Sequence, residues 1–147
     1  MYTKIVTTEK LEDKNKYKCE ACDKYVDATR KTCIWETPDI LIIQLKRFQN
    51  HGSQTSKIRS KITYPLTDLS IHECYSEYYP RNHKYDLYGV VQHTGSLNGG
   101  HYYAHTKNPV NNKWYEFNDE YVIHIPDDDV EKEIVSARSY ILFYKKQ

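Results

Sequence analysis

The sequence predicts a β-rich α+β chain with one short helix, and three observations carry that reading. Apolar residues alternate with period two over short runs, clearest at 85–93, where Tyr85, Leu87, Gly89 and Val91 share one side. Turn-forming clusters interrupt those runs, among them Thr37-Pro38-Asp39 and Asn108-Pro109-Val110-Asn111-Asn112. Fifteen of the 147 residues are tyrosine. Tyrosine suits half-buried strands, although codon bias in an AT-rich genome accounts for most of that excess.

Taken in order, residues 4–8 read as a strand and the charged stretch 9–16 as a loop. Residues 26–35 alternate without an apolar side, as an exposed two-sided ribbon does. Residues 40–45 form an apolar run broken only by Gln44, the pattern of a strand buried on both faces. The polar stretch 48–56, which contains Gly52, reads as a loop. Ile58, Ile62 and the Tyr64-Pro65-Leu66 corner lead into another extended piece, and a polar connection over 75–84 precedes the strand at 85–93. Gly95, Gly99 and Gly100 mark a loop over 95–100, followed by strands at 101–107 and 113–118. Asp127-Asp128-Asp129 opens a helix over 130–135, because negative charge favours a helix N-terminus. Residues 139–144 form the last strand.

Composition narrows the function. With 21 basic and 20 acidic side chains, the net charge of +1 creates no field that would steer the chain to nucleic acid or a membrane surface. Neither is an expected partner. No apolar run approaches the length of a membrane span, and no secretory apolar segment follows Met1. The expectation is a soluble intracellular protein of the cytoplasm or nucleus. Cys19, Cys22, Cys33 and Cys74 then read as reduced thiols.

The most informative segment is Gly99-Gly100-His101-Tyr102 followed by Trp114-Tyr115-Glu116-Phe117-Asn118-Asp119. If the turn at 108–112 closes a hairpin, pairing Lys107 with Asn112 or Lys113 puts His101 opposite Asn118 or Asp119. Opposed side chains share a face with Cβ atoms roughly 5 Å apart. An imidazole beside an amide or carboxylate is the base-plus-orienter half of a catalytic triad, in which the partner fixes the ring's tautomer. A lone strand histidine is usually structural, and the other histidines, including His93, His105 and His124, take that reading by position. Spacing alone leaves Asn118 and Asp119 both open as the partner.

These residues resemble the ubiquitin-specific proteases. Gly99-Gly100-His101-Tyr102-Tyr103-Ala104 with Trp114-Tyr115-Glu116-Phe117-Asn118-Asp119 is similar to that family's histidine box. Tyr17-Lys18-Cys19-Glu20-Ala21-Cys22 resembles its second zinc-ribbon knuckle, and Leu45-Lys46-Arg47-Phe48 the end of the strand that follows. Tyr64-Pro65-Leu66 and Tyr140-Ile141-Leu142-Phe143-Tyr144 are similar to its aromatic corner and closing strand. The resemblance runs from Tyr17 to Tyr144. It implies a papain-like cysteine protease half-domain, an antiparallel palm sheet over 39–147 with a β-finger, part of a zinc ribbon, over 1–38. It further implies His101 as general base, Asn118 as the residue orienting it and Asp119 as an accessory polar group. Gly99, Gly100, Tyr102 and His93 are implied to line or touch the path of ubiquitin's Gly-Gly tail, so ubiquitin or ubiquitinated proteins are the expected partners.

Two features depart from the family. Its nucleophile lies in a box of the form Gly-x-x-Asn-x-Gly-Asn-x-Cys, which nothing here matches, and no cysteine sits in a setting that lowers a thiol pKa by sequence. The expected partner is therefore an N-terminal half of the catalytic domain, without which this chain is expected to be inactive and to self-associate through uncovered apolar surface. A closed zinc site wants four ligands, and Cys19 and Cys22 supply two. No cofactor is expected for catalysis, and structural zinc is expected only where the missing ligands are supplied. The alternative reading is a non-catalytic ubiquitin-binding or scaffold module that retains the fold.

Overall fold

The computed structural model describes residues 7–52, 54–76, 78 and 82–147. They fall into two compact units, Met1–Thr37 with Ile71–Asn82, and Pro38–Ser70 with His83–Gln147.

The first unit is built from ribbons. Strand β1 (Thr7–Leu11) pairs antiparallel with β4 (Ala28–Thr32), and β2 (Tyr17–Cys19) pairs with β3 (Lys24–Val26). Residues 9–11, read as loop from sequence, are therefore strand. Glu9 faces Arg30 across the pair in a 2.6 Å ion pair. The start of the strand expected at 4–8 lies outside the described residues, as do 77 and 79–81 of the connection read over 75–84. Residues 71–82 cluster with this unit because Ile34 bridges Tyr75, its N–H donating to the Cys74 carbonyl at 2.8 Å. Tyr75 and Thr37 are buried there and share a 2.6 Å hydroxyl hydrogen bond.

The second unit holds one large antiparallel sheet and a short helix. Its strands are β5 (Ile40–Gln44), β6 (Phe48–His51), β7 (Gln54–Lys57), β8 (Leu69–Ser70), β9 (Lys84–Ser96), β10 (Gly99–Lys107), β11 (Trp114–Asn118), β12 (Tyr121–Ile125) and β13 (Ser139–Lys146). The sheet order is β12-β11-β10-β9-β13-β5, with β8 pairing β9, while β6 and β7 form a separate hairpin. Helix α1 (Val130–Ile134) follows its acidic leader as expected. The core comprises Leu87, Val90, Ile134, Leu142, Tyr85 and Tyr144, each no more than 2% exposed.

Four local expectations change. Residues 40–45 are not buried on both faces: β5 lies at the sheet edge, and Ile40 and Ile42 are 40% and 59% exposed. Residues 48–57 form a hairpin rather than a loop, with Phe48 opposite Lys57 and Gln49 opposite Ser56. The alternation in β9 breaks after Gly89, so that Val90, Gln92 and His93 are buried where Val91 was expected. Its physical cause is a bulge, because Gly89 pairs with Phe143 and Leu87 with Tyr144, leaving Tyr88 unopposed. Finally, 95–100 is not a six-residue loop, since Ser96 already pairs with Gly99 across a two-residue turn.

Arg47 fixes the hairpin to the sheet. It is 1% exposed, and its guanidinium donates to the carbonyls of Ser139 at 2.9 Å and Ser60 at 2.6 Å. A planar, five-donor group suits such convergent acceptors.

Candidate active site

Strands β9, β10 and β11 position the site. Period two puts His101, Tyr103 and His105 on one face of β10, and Trp114, Glu116 and Asn118 on the same face of β11. The register differs from expectation: Lys107 faces Trp114, because the turn runs one residue longer and closes with Asn108 N–H donating to the Lys113 carbonyl at 2.9 Å. Two Asx contacts hold that turn, Asn108 Oδ1 accepting from Val110 N–H at 2.8 Å and Asn111 Oδ1 from Lys113 N–H at 3.0 Å. His101 is thus not directly opposite either candidate. The imidazole nevertheless reaches one of them diagonally.

His101 Nε2 lies 2.6 Å from Asn118 Oδ1 and 3.8 Å from Asp119 Oδ2. Only the first is a hydrogen bond, since the second exceeds donor–acceptor range. Asp119 sits at φ 52 in the two-residue turn between β11 and β12, where its carboxylate faces the ring without touching it. The His101 side chain is 45% exposed, as access to a reacting group requires. An amide oxygen can only accept, so Nε2 carries the ring proton and Nδ1 presents a lone pair. Tyr103 stacks on His101, ring centroids 6.4 Å apart and planes 16° apart.

The implied substrate-facing residues separate into two layers. Tyr102 is 54% exposed and lies over His93, centroids 4.5 Å apart. His93 is 3% exposed and accepts a 2.8 Å hydrogen bond at Nδ1 from Lys57 Nζ, which also donates to the His93 carbonyl. Burial and the neighbouring Lys57 charge both hold His93 below the ordinary imidazole range. The His93 ring therefore lies beneath Tyr102 and Gly100, which form the exposed layer above it. Gly100 covers it so closely that a Cβ there would meet His93 Nε2 at 2.2 Å. Gly99 is different, for a Cβ on it meets nothing within 4 Å. Glycine at 100 is demanded by packing, whereas the space above Gly99 is open.

Cys19 ends β2 and Cys22 lies in the turn that leads to β3, with Asp23 at φ 52 closing it. Hydrogen bonds from Cys22 and the Ala21 backbone hold the Cys19 thiol below its usual range. No group of three or more metal-ligating side chains occurs among the described residues, and the two thiols are soft donors of the type a zinc ion takes. Cys74 is buried, which pushes its thiol up.

Sequence reasoning missed the polar groups behind Asn118. Glu116 Oε1 accepts from Asn118 Nδ2 at 3.3 Å, and Glu116 Oε2 lies 3.0 Å from the Nε2 of fully buried His105. The correct register would have exposed them, because His105 and Glu116 are directly opposed.

An antiparallel sheet that presents an oriented, accessible imidazole at a strand end defines the histidine-bearing half of a papain-like hydrolase. The chain belongs to the ubiquitin carboxyl-terminal hydrolase family, whose model matches residues 3–144; this is a family of cysteine-type deubiquitinases. It is 41% identical over 128 residues to ubiquitin carboxyl-terminal hydrolase 12 of Saccharomyces cerevisiae, covering 86% of this chain and 10% of that protein. To ubiquitin carboxyl-terminal hydrolase 4 of Pongo abelii it is 34% identical over 143 residues, 97% of this chain and 14% of that one. Among solved structures it resembles a chain of the Ubp8/Sgf11/Sus1/Sgf73 SAGA DUB module bound to monoubiquitin, with TM-score 0.80, 29% identity and coverage of 99% and 31%. A yeast SAGA DUB module with an Sgf73 mutant gives TM-score 0.77, 31% identity and coverage of 99% and 32%. The chain thus spans 10% to 15% of the length of these and similar curated relatives. No described helix is long and apolar enough to cross a membrane.

Proposed function

We propose that this chain supplies the general base and its orienting residue for deubiquitination, the thiol-dependent hydrolysis of the bond after ubiquitin's terminal Gly-Gly. The single observation that carries this reading is the 2.6 Å bond from His101 Nε2 to Asn118 Oδ1. With its proton held there, Nδ1 is the nitrogen that removes a proton from a thiol. The thiolate then attacks the terminal glycine carbonyl, and the imidazolium gives its proton to the leaving amine as the C–N bond breaks. The same nitrogen next takes a proton from the water that attacks the thioester, and returns it to the departing thiolate as the C–S bond breaks. Asp119, 3.8 Å from the ring, is an accessory polar group beside the site. The open space above Gly99 and the exposed Tyr102 ring suit a narrow glycine tail, and the monoubiquitin named with a similar solved structure agrees with ubiquitin as partner.

The thiol in this reading comes from the family's N-terminal cysteine box, on a segment that packs with these residues. Burial of Cys74, which pushes its thiol up, supports that assignment, and the Cys-x-x-Cys spacing of Cys19 and Cys22 is that of a metal knuckle even though hydrogen bonds lower the Cys19 thiol. Cys19 and Cys22 serve instead as two ligands of a structural zinc completed by other residues. Exposed Ile42, Val122 and Ile123 on the edge strands support a covering partner, and the isolated chain is expected to form dimers or larger species in light scattering.

Turnover of a ubiquitin C-terminal fluorogenic substrate by the intact protein tests the proposal. His101→Ala should lower kcat by about 10³-fold or more, whereas full turnover in that variant refutes the assigned base. Ubiquitin binding with no turnover in the unaltered protein would support the scaffold alternative.

A further inference from the structure

Behind the His101–Asn118 pair runs a polar strip that the reaction as written does not use. Ser136 Oγ donates to Gln92 Oε1 at 2.9 Å, and Gln92 Nε2 donates to the Ile134 carbonyl at 3.0 Å, which fixes that amide's orientation. The same Nε2 faces His105 Nδ1 at 3.4 Å, so the His105 proton belongs on Nε2, from which it donates to Glu116 Oε2 at 3.0 Å. Glu116 Oε1 then accepts from Asn118 Nδ2 at 3.3 Å, and Asn118 Oδ1 accepts from His101 Nε2. Every donor along this line meets an acceptor. Gln92 and His105 are fully buried, and the Glu116 side chain is 26% exposed.

We propose that Glu116, anchored by buried His105, is a positioning residue that fixes which way the Asn118 amide points and thereby keeps the proton of His101 on Nε2. The inference rests on the reading of His101 as base and extends it to a residue that touches neither substrate nor thiol. Its physical content is an asymmetry. An amide has one donor end and one acceptor end of nearly equal size, so packing cannot choose between its two orientations. Glu116 can, since its carboxylate only accepts. Rotating Asn118 by half a turn would aim Oδ1 at that carboxylate and Nδ2 at the ring's N–H, setting acceptor against acceptor and donor against donor. The flipped amide would instead favour a proton on Nδ1, the nitrogen that must accept one. Tyr103 closes the strip, stacked on His101 and edge-on to His105 at 5.5 Å between centroids, so neither ring can swing toward a different partner without displacing it.

The test combines a double-mutant cycle with histidine ring-nitrogen NMR on the intact protein. Glu116→Ala should lower kcat roughly tenfold with KM unchanged, the loss expected from misdirecting one hydrogen bond. In an Asn118→Asp background that loss should vanish, because a carboxylate has no wrong end to present. Glu116→Gln, which can satisfy only one of its two donors correctly, should fall between. In ¹⁵N-histidine-labelled protein, His101 should show a protonated Nε2 and an unprotonated Nδ1, and Glu116→Ala should shift it toward a mixture of tautomers. An equal loss in the Asn118→Asp background, or an unchanged His101 tautomer in Glu116→Ala, overturns the inference. The nitrogen spectrum needs no turnover, so it decides the role of Glu116 even if the unaltered protein cleaves nothing and the catalytic reading fails.

Discussion

The two compact units of this chain are held together by different means. The second packs Leu87, Val90, Ile134, Leu142, Tyr85 and Tyr144 against a sheet continuous from β12 to β5. The first consists of two-stranded ribbons whose side chains mostly face solvent, with exposed ion pairs such as Arg30–Glu9 and Lys18–Asp23. Exposed pairs contribute about 0–1 kcal/mol each, and two-stranded ribbons are marginal in water. The difference teaches where a catalytic group can be held rigidly. His101 and Asn118 stand on the continuous sheet, while Cys19 and Cys22 stand on a two-stranded ribbon with little buried surface of its own.

Each unit carries one tryptophan as a reporter, Trp35 at 59% exposure in the first and Trp114 at 6% in the second. The largest expected effect is on the second. Arg47→Ala removes a buried side chain and its hydrogen bonds to the buried Ser139 carbonyl and to the Ser60 carbonyl, and should destabilise that unit by about 3–5 kcal/mol. Denaturant unfolding of a Trp35→Phe form, followed by Trp114 fluorescence, measures this. Tyr25→Ala in the first unit, at 69% exposure, should stay within about 0.5 kcal/mol. Comparable effects at the two positions would erase the contrast. A smaller loss, about 1–3 kcal/mol, is expected for Gly100→Ala, whose Cβ forces His93 or the Thr94 carbonyl to move.

Protons act on the same unit. His93 titrates below its unfolded value, so the unfolded chain binds more protons as pH falls through about 6.5 and stability declines there. Acidification from about pH 7.5 to 5.5 should lower the Trp114 transition, and His93→Gln should flatten that dependence. An equal decline in both proteins would place the acid sensitivity elsewhere.

What the sequence made legible was local chemistry, and what it concealed was partnership. Gly-Gly-His, the Asn-rich turn and Asn118-Asp119 identify a histidine hairpin because each residue type is constrained by its own backbone or side chain. The register was missed by a residue or more because Asn108 closes its turn on Lys113, a choice among near-equal loops. Burial of β5 was overestimated because an apolar run cannot report whether it lies inside a sheet or at its edge. The hairpin of β6 and β7 was invisible for the converse reason, polar strands lacking an apolar face. Gln92, His105 and Glu116 went unnoticed because their meaning lies in direction: only coordinates show that each donor faces an acceptor.

The smallest effect bears on the first unit alone. Cys19 is held below the ordinary thiol range by hydrogen bonds from Cys22 and Ala21, whereas burial raises Cys74. At neutral pH iodoacetamide should therefore label Cys19 at least about tenfold faster than Cys74, since the thiolate is the reactive form. Zinc sharpens the point. If the turn between β2 and β3 contributes two ligands of a structural site in the intact protein, stoichiometric zinc should protect Cys19 and Cys22, and chelation should restore their reactivity. Trp114 fluorescence should not respond, because the sheet owes nothing to the metal. A metal-dependent change at Trp114 would show that the ribbon and the sheet are energetically coupled, and the contrast between them would have to be redrawn.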